Sequence, residues 1–232
     1  MSEEEIGYDR GRNSMKIKTV IFDLDGTLLD TLEDLTDAVN HALAAYQMPK
    51  RDISEIRSFV GNGIRRLMLQ VVPDGENNPA FEAVFAEFRR YYDMHCNDKT
   101  KPYKGIPELL DALEKNKIQT AIVSNKVDSA VQTLNKRYFP QIAVAVGDRE
   151  GLQRKPAPDS VFLAMEAYHA KQAETLYVGD SEVDIETAKN AGIKCVSVLW
   201  GFRDKEQLLE SGAQMLIEKP LALLELMENE TI

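Results

Sequence analysis

"FDLDGTLLD", residues 22–30, places three aspartates and a glycine directly after the apolar run Val20-Ile21-Phe22. A cluster of carboxylates at the end of a buried strand repels itself and is costly to desolvate. Three explanations compete: the aspartates cap a helix or turn, they hold a metal ion, or one of them takes part in a reaction. The rest of the sequence decides between them.

This apolar run is the first of five that predict β-strands. The runs are rich in β-branched residues and nearly continuous in apolar side chains, as expected of strands that are buried on both faces. Helical patterns separate the later runs, and this alternation predicts an α/β fold with a doubly wound, Rossmann-like parallel sheet. The predicted strands are 18–23, 119–124, 142–146, 175–180 and 194–199.

The alternation stops between residues 31 and 103, where helical patterns occur without a convincing strand. Two predicted helices there carry apolar stripes at intervals of three and four residues, and such stripes usually form a core. We therefore predict a helical cap domain at 31–103, inserted into a core domain formed by 16–30 and 104–232, with a flexible N-terminal extension at 1–15. The two stripes are Leu32, Leu35, Val39 and Leu43, and Phe81, Phe85, Phe88 and Tyr92.

Composition narrows the class of protein. The chain has 232 residues and a formal net charge of −10, which is a poor match for nucleic acid or an anionic membrane, because binding to either needs clustered Lys and Arg. No apolar stretch is long enough to cross a bilayer, and the N-terminus lacks a secretory signal pattern. Two distant cysteines, Cys96 and Cys195, fit a reducing compartment. We expect a cytoplasmic monomer or homodimer that binds neither nucleic acid nor membrane.

Polar residues follow four of the five predicted strands. Ligands of open parallel sheets bind outside the carboxyl ends of the strands, so these residues are expected to meet at one edge. They are Asp23-Leu24-Asp25-Gly26-Thr27 after the first strand, Ser124-Asn125-Lys126 after the second, Arg154-Lys155-Pro156 in the loop after the third, and Gly179-Asp180-Ser181 with Asp184 after the fourth.

Carboxylates, a hydroxyl and an ammonium at one edge suit phosphoryl transfer through an aspartate. A carboxylate that attacks a phosphate dianion meets charge repulsion, so a hard divalent cation such as Mg²⁺ is needed between them. A lysine and a hydroxyl can hold the remaining phosphoryl oxygens. A second carboxylate can protonate the leaving alkoxide and later deprotonate the attacking water. Gly26 allows a sharp turn whose N–H groups face the anion.

Four motifs carry a family resemblance: "DLDGT" (23–27), "SN" (124–125), the lysine of "RKPAPD" (154–159) and "GDSEVD" (179–184). In this order and at strand ends, they make the chain similar to the haloacid dehalogenase superfamily of aspartate-nucleophile phosphohydrolases. The resemblance covers the chain from about residue 16 to its end and includes the position of the helical insert.

The resemblance implies a role for each motif residue. Asp23 would be the nucleophile and a Mg²⁺ ligand, and Asp25 would be the general acid/base and bind the metal through its backbone carbonyl. Ser124 and Lys155 would bind the phosphoryl group. The other implied residues are Asp180 and Asp184 for the metal, the latter directly or through water, and Gly26, Thr27 and Asn125 for the substrate.

Within the superfamily the chain looks most like the phosphoglycolate phosphatases. The likeness lies in "FVGNGIRRLM" (59–68), "YKGIPELLDAL" (103–113) and "VLWGFR" (198–203). It implies that the helical insert is a mobile cap that supplies substrate contacts. The turn Gly61-Asn62-Gly63 would open a cap helix that carries Arg65 and Arg66. One of these two arginines, with Arg65 as the preferred candidate, would be a ligand for a carboxylate.

The sequence thus predicts a Mg²⁺-dependent phosphomonoesterase with an aspartyl-phosphate intermediate, acting on 2-phosphoglycolate or a similar small phosphate ester. A β-phosphoglucomutase-like mutase would share the chemistry, although such mutases usually carry valine at the position of Thr27. A pyrophosphatase is a further alternative. A non-enzymatic regulatory module on the same scaffold is disfavoured, because the reactive residues are intact.

Overall fold

Residues 17–228 are described by the structure, a computed structural model, and the predicted extension at 1–15 lies outside them. A six-stranded parallel sheet has the order β5-β4-β1-β6-β7-β8, and β2 and β3 form a separate two-stranded ribbon. All five predicted strands form, whereas the short β8 and the ribbon were not predicted. The strands are β1 (Thr19–Phe22), β2 (Leu29–Asp30), β3 (Lys101–Pro102), β4 (Gln119–Val127), β5 (Val144–Asp148), β6 (Thr175–Gly179), β7 (Lys194–Val198) and β8 (Leu216–Ile217).

Helices cover both faces of the sheet and form the inserted segment. Among residues 17–228 no helix is both long enough and apolar enough to cross a bilayer. The α-helices are α1 (Leu32–Ala45), α2 (Ile53–Phe59), α3 (Ile64–Val71), α4 (Phe81–His95), α5 (Ile106–Lys115), α6 (Asp128–Tyr138), α7 (Asp159–Ala167), α8 (Glu182–Ala191), α9 (Lys205–Glu210) and α10 (Ala222–Glu228).

Strand β1 lies inside the sheet and is buried on both faces. Val20 and Phe22 belong to the apolar core on one face, and Ile21 belongs to the core on the other. The strand pairs in parallel with β4 and β6, so that Phe22 is level with Ile122 and Val178. The carboxyl ends of these three strands therefore reach the same edge of the sheet. β4 runs beyond the predicted end at residue 124, so Ser124, Asn125 and Lys126 lie in its last part, where the register with β5 shifts.

Helices α1 to α4, which we call the helical unit, have an apolar core of their own. Both predicted stripes contribute to it: Leu35, Val39 and Leu43 are buried in α1, as are Phe81, Phe88 and Tyr92 in α4. The aromatic rings of the α4 stripe stack in sequence, with centroids 6.1, 6.5 and 5.4 Å apart. Stacking of this kind stabilises the helix beyond the burial of its apolar surface.

The chain enters and leaves the helical unit through the β2–β3 ribbon. Leu29 is level with Pro102, and Asp30 with Lys101, in an antiparallel pair. Just beyond the ribbon, the buried Asp34 carboxylate accepts hydrogen bonds from the backbone N–H groups of Lys99 and Thr100 at 2.8–3.1 Å. These bonds hold the two connecting segments side by side.

Candidate active site

The carboxyl edge of the sheet holds a buried ionic cluster. Asp23 follows β1, and the ammonium of Lys155 lies 2.6 Å from its Oδ1 atom. The same ammonium donates to Asp184 Oδ1 at 2.8 Å and to the Tyr177 hydroxyl at 3.1 Å. Three segments that are far apart in the sequence therefore meet at one lysine.

The charges of this cluster shift the proton affinities of its members. Burial raises the pKa of Asp23 well above its ordinary value, and the nearby Asp184 and Asp180 add to this, although Lys155 opposes it. Burial alone would lower the pKa of Lys155, but Asp184 and Asp23 raise it above the usual value of lysine. The Lys155 ammonium therefore stays charged. The buried carboxylates repel one another, so binding of a cation or a proton among them is favourable.

The backbone of two neighbouring loops surrounds the Asp180 carboxylate, which follows β6. Its Oδ2 atom accepts a hydrogen bond from Phe202 N at 2.7 Å, and Oδ1 accepts one from Thr27 Oγ1 at 3.4 Å. Gly26 (φ +89°) and Gly201 approach the carboxylate so closely that a Cβ atom on either would overlap Asp180. The absence of a side chain at these two glycines therefore makes space for the carboxylate.

Asp184 is placed behind Asp180 by the start of α8. Its Oδ2 atom accepts from Asp180 N at 3.2 Å, from Ser181 N at 3.1 Å and from Ser181 Oγ at 2.7 Å, as part of a capping box. Its Oδ1 atom accepts from Lys155 and Tyr177. Both oxygens already have protein donors, so Asp184 orients its neighbours as well as adding charge.

The donor set fits a hard divalent cation. Carboxylate oxygens of Asp23, Asp180 and Asp184 lie within 4.8 Å of one another, and all three residues are buried. These three carboxylates share the single ammonium of Lys155, which leaves two negative charges unmatched when all three are ionised. Oxygen-only ligands and a deficit of two positive charges are what Mg²⁺-type ions satisfy.

Asp25 is held by a lysine for which the sequence predicted no role. Lys126 donates from Nζ to Asp25 Oδ1 at 2.9 Å and to the Tyr92 hydroxyl of the helical unit at 2.5 Å. Ser124 Oγ accepts a hydrogen bond from Lys126 N at 3.1 Å, within the part of β4 where the register with β5 shifts. The "SNK" segment thus places its hydroxyl and its ammonium on the same cavity.

Asn125 and Arg203 connect the sheet with the turn before α3. Asn125 donates from Nδ2 to the carbonyls of Gly61 at 3.2 Å and Lys155 at 3.1 Å, and its Oδ1 atom accepts from Lys155 N at 2.8 Å. Arg203 donates to the Val60 carbonyl at 2.8 Å, and its buried side chain forms an ion pair with the partly exposed Glu182. The turn is therefore fixed from two sides.

The loop after β7 bridges the carboxylate cluster and the helical unit. Trp200 Nε1 donates to the Thr27 carbonyl at 3.0 Å, and Phe202 N donates to Asp180. Further along the same loop, Gly201 accepts a hydrogen bond from Arg57 of α2 at 3.2 Å. The "VLWGFR" segment consequently touches both parts of the site.

A cavity of about 60 Å³ lies between the ionic cluster and the helical unit. The wall formed by the helical unit, including the segment between α2 and α3, is mostly apolar. It consists of Leu35, Val60, Ile64, Leu67 and Tyr92, whereas the opposite wall carries the charged groups. The cavity therefore suits a small anion with a short organic part.

The structure brings most of the residues predicted as site residues to this cavity: Asp23, Asp25, Gly61, Gly63, Ser124, Asn125, Lys155 and Asp180 line it. Gly26, Thr27 and Asp184 contact Asp180 from behind, and Asn62 lies between the two lining glycines. Arg65 is not brought to the cavity; its guanidinium pairs with Glu82 at 2.5 Å and lies over the Phe81 and Phe85 rings.

Four residues with contacts in or beside the site had no predicted role: Tyr92, Lys126, Tyr177 and Arg203. Lys126 was expected at the sheet edge without a function of its own, and Arg203 ends the "VLWGFR" segment, so their positions in the sequence could have pointed to a role for each. Tyr177 lies within a buried strand and Tyr92 within an apolar stripe, and both patterns indicate core residues.

We expect the metal-free protein to lose stability as the pH rises from about 4 to about 7. Burial, together with Asp184, raises the pKa of Asp180 to about 7. An aspartate in the unfolded chain releases its proton near pH 4. Between pH 4 and pH 7 the folded state therefore binds more protons than the unfolded state, and the free energy of unfolding falls as the pH rises. Melting temperatures in EDTA at pH 5 and pH 8 test this.

Asp180→Asn is the matched variant, and it should show a smaller decrease in melting temperature over the same interval. Added divalent cation should stabilise the wild-type protein more at pH 8 than at pH 5, because fewer protons compete with it at pH 8. Equal pH dependence of the two proteins would contradict the role given to Asp180.

Comparison with known proteins gives a consistent result. The sequence model of the family described as "Haloacid dehalogenase-like hydrolase" matches residues 20–198. An N-acetylmuramic acid 6-phosphate phosphatase of Pseudomonas aeruginosa is 30% identical over 218 residues, which cover 93% of this chain and 96% of that protein. A phosphoglycolate phosphatase of Aquifex aeolicus is 30% identical, with 93% of this chain and 99% of that protein covered.

A solved structure agrees with these sequence matches. The crystal structure of an inferred phosphoglycolate phosphatase from Lactobacillus delbrueckii subsp. bulgaricus superimposes with a TM-score of 0.87 at 33% identity. The match covers 92% of this chain and 99% of that one. It includes the parallel sheet as well as the inserted helices, since so little of either chain is left unmatched.

Proposed function

The chain belongs to the haloacid dehalogenase-like hydrolases and is a phosphatase, and from this premise we propose that it is a Mg²⁺-dependent phosphomonoesterase acting on 2-phosphoglycolate or a similar small ester. One observation carries the proposal: a buried carboxylate, Asp23, faces a small cavity beside Lys155 and two further carboxylates. This arrangement has a nucleophile, a fixed cation and room for a metal ion.

The reaction proceeds in two displacements on phosphorus. In the first, Asp23 attacks the phosphorus atom, the bond to the ester oxygen breaks, and Asp25 gives its proton to the leaving alkoxide. In the second, Asp25 takes a proton from water as that water attacks the aspartyl phosphate, which releases inorganic phosphate and restores the Asp23 carboxylate. The two carboxylates thus return to their starting states.

Other residues hold the phosphoryl group while its charge spreads. The Lys155 ammonium and the Ser124 hydroxyl line the cavity next to Asp23 and can bind phosphoryl oxygens. Mg²⁺, held by Asp23, Asp180 and the Asp25 carbonyl with Asp184 behind them, would offset the repulsion between carboxylate and phosphate dianion. The N–H groups of Gly26 and Thr27 are bonded to the carbonyls of Leu29 at 2.8 Å and Leu24 at 3.4 Å, so these two residues shape the loop rather than bind the phosphoryl group.

We further propose that the chain has two domains: a core domain of 16–30 and 104–232, and a cap of 31–103. The separate apolar core of α1 to α4 supports this division, and so does the narrow β2–β3 connection. Closure of the cap over the sheet excludes water from the cavity, which strengthens the electrostatic interactions within it.

The size of the cavity and the named relatives favour a small acid ester. Phosphoglycolate and N-acetylmuramic acid 6-phosphate, the substrates in the relatives' names, are both phosphate esters of hydroxy acids. A volume of about 60 Å³ suits the two-carbon glycolate better than an N-acetylated sugar acid. The smaller ester is therefore the better candidate for this cavity.

Phosphate release from a panel of esters tests the proposal. We expect 2-phosphoglycolate to exceed sugar phosphates, nucleoside monophosphates and pyrophosphate in kcat/KM by at least about 100-fold. EDTA should abolish release, and Mg²⁺ should restore it. An Asp23→Asn preparation made in parallel controls for contaminating phosphatases.

Each part of the proposal has its own contrary result. Absence of phosphate release from every ester would overturn the whole proposal. Equal rates on all esters would overturn the preference for a small acid while leaving the mechanism in place. Formation of glucose 6-phosphate from β-glucose 1-phosphate would indicate a mutase instead.

A further inference from the structure

We infer that Lys126 binds a carboxylate on the leaving group and thereby selects phosphate esters of short 2-hydroxy acids. This inference rests on the proposed function, because it names the residue that sets the substrate class of that site. It concerns the half of the cavity that lies towards the helical unit, opposite the phosphoryl-binding cluster.

Lys126 has a donor available for a substrate. An ammonium has three N–H donors, and two are accounted for by Asp25 Oδ1 and the Tyr92 hydroxyl. Within residues 17–228, no other hydrogen bond of its Nζ atom is formed, and the residue lines the cavity. Only 5% of the side chain is exposed, so the charge interacts strongly with whatever enters.

No other cation serves this half of the cavity among the described residues. Lys155, the second lysine in the lining, is bound to Asp23 and Asp184 at the phosphoryl end. The neighbouring walls are the apolar side chains of Leu35, Ile64 and Leu67. A carboxylate buried against such walls without a cation would carry a large desolvation penalty.

The arginines near the cavity are engaged elsewhere. Arg65 pairs with Glu82 at 2.5 Å, Arg57 with Asp204 at 2.9 Å, and Arg203 with Glu182 at 2.8 Å. Arg154, whose guanidinium lies beside Gly63, pairs with Asp148 at 2.5 Å. None of these four arginines lines the cavity. The carboxylate role that the sequence suggested for Arg65 therefore passes to Lys126.

The position of Lys126 relative to Asp25 limits the length of the substrate. Asp25 has to reach the ester oxygen in order to protonate it, and Lys126 Nζ is 2.9 Å from the Asp25 carboxylate. In a phosphorylated 2-hydroxy acid, the carboxylate is attached to the same carbon as the ester oxygen. Both groups are thus presented together to neighbouring partners, whereas a carboxylate further along a chain would pass beyond Lys126.

The subsite is completed by the helical unit. Tyr92 belongs to α4, and its hydroxyl and ring both contact the ammonium, the ring centroid lying 4.8 Å from Nζ. Ring and hydroxyl together hold the flexible lysine side chain in one position. Release of the helical unit would remove these contacts, so full recognition of the carboxylate needs the helical unit in contact with Lys126.

Two esters that differ mainly in the carboxylate provide the test: 2-phosphoglycolate and 2-hydroxyethyl phosphate. With wild-type protein and Mg²⁺, kcat/KM should be at least about 100-fold higher for 2-phosphoglycolate. Lys126→Met should remove most of this ratio, with the larger loss on 2-phosphoglycolate. Lys126→Arg, which keeps the charge, should retain part of the ratio.

Two further measurements separate binding of the carboxylate from support of Asp25. Lys126→Met should raise the inhibition constant of glycolate by about 10-fold or more and that of inorganic phosphate far less. Tyr92→Phe, which keeps the ring and removes the hydroxyl, should lower the ester ratio by a smaller factor. Thermal unfolding of each variant checks that it is folded.

The outcomes distinguish this inference from the proposed function. Wild-type protein that hydrolyses both esters equally would overturn the inference and leave the phosphatase mechanism standing. A Lys126→Met variant that loses both activities in parallel would also overturn it, because Lys126 would then serve Asp25 alone. Absence of hydrolysis of either ester by wild-type protein would overturn the proposed function and the inference with it.

Discussion

Asp23→Asn is expected to lower kcat by at least about 10⁴-fold without lowering the melting temperature of the metal-free protein. An amide is a poor nucleophile, so the first displacement on phosphorus has no attacking group. The fold, by contrast, loses a carboxylate whose pKa burial has raised, and such a group weakens the folded state when it is charged. Steady-state kinetics and thermal unfolding in EDTA measure the two effects.

Asp34→Asn is the matched control, because Asp34 is another buried aspartate outside the site. Its two carboxylate oxygens accept hydrogen bonds from Lys99 N and Thr100 N, and an amide would turn an N–H group towards one of these donors. We expect a loss of about 1–3 kcal/mol of stability with most of the activity retained. Near-wild-type turnover by Asp23→Asn would refute the assignment of the nucleophile.

Lys155→Met is expected to reduce both activity and stability. Removal of the ammonium takes away a fixed charge next to the phosphoryl site, which should cost at least about 10³-fold in kcat. It also leaves Asp23 and Asp184 buried without their shared partner, and breaking a buried ion pair costs about 3–5 kcal/mol. For a chain of this length, a decrease of about 10 °C in melting temperature should result.

Mg²⁺ should offset the loss of stability in Lys155→Met but not the loss of activity. Mg²⁺ should raise the melting temperature of Lys155→Met by more than it raises that of the wild type, because a divalent cation compensates the unpaired carboxylates. It should not restore the rate. Lys18→Met is the control: Lys18 pairs with Glu174 at 3.0 Å on the exposed surface, and this change should have little effect. Full activity in a folded Lys155→Met variant would exclude its catalytic role.

The strand ends were predictable because apolar continuity determines which segments lie inside a parallel sheet. The run Val20-Ile21-Phe22 is buried on both faces, so the polar residues directly after it have to emerge at the edge. β8, at Leu216–Ile217, was missed because two residues form no recognisable pattern. The β2–β3 ribbon was missed for the same reason and because its partners are far apart in sequence.

Within the site, a motif gives the residue type but not the direction of its side chain. In α3, Leu67, Met68 and Val71 face the core of the helical unit, and Arg65 therefore points away towards Glu82. The spacing of the apolar residues in this segment indicates that Arg65 lies off the buried face, whereas the "GNG" pattern before it favoured Arg65 as a ligand. The role of Lys126 depended on Tyr92, whose approach is a tertiary contact that no local pattern contains.

Trp200 is the single tryptophan of the chain, so intrinsic tryptophan fluorescence reports on the surroundings of this one residue. Its indole N–H is bonded to the carbonyl of Thr27, whose hydroxyl contacts Asp180, and three residues later Arg203 holds the helical unit. Indole emission should therefore change both when a cation enters and when the helical unit swings away. Rapid-mixing fluorescence of the unlabelled enzyme could time these two events separately and establish which of them limits turnover.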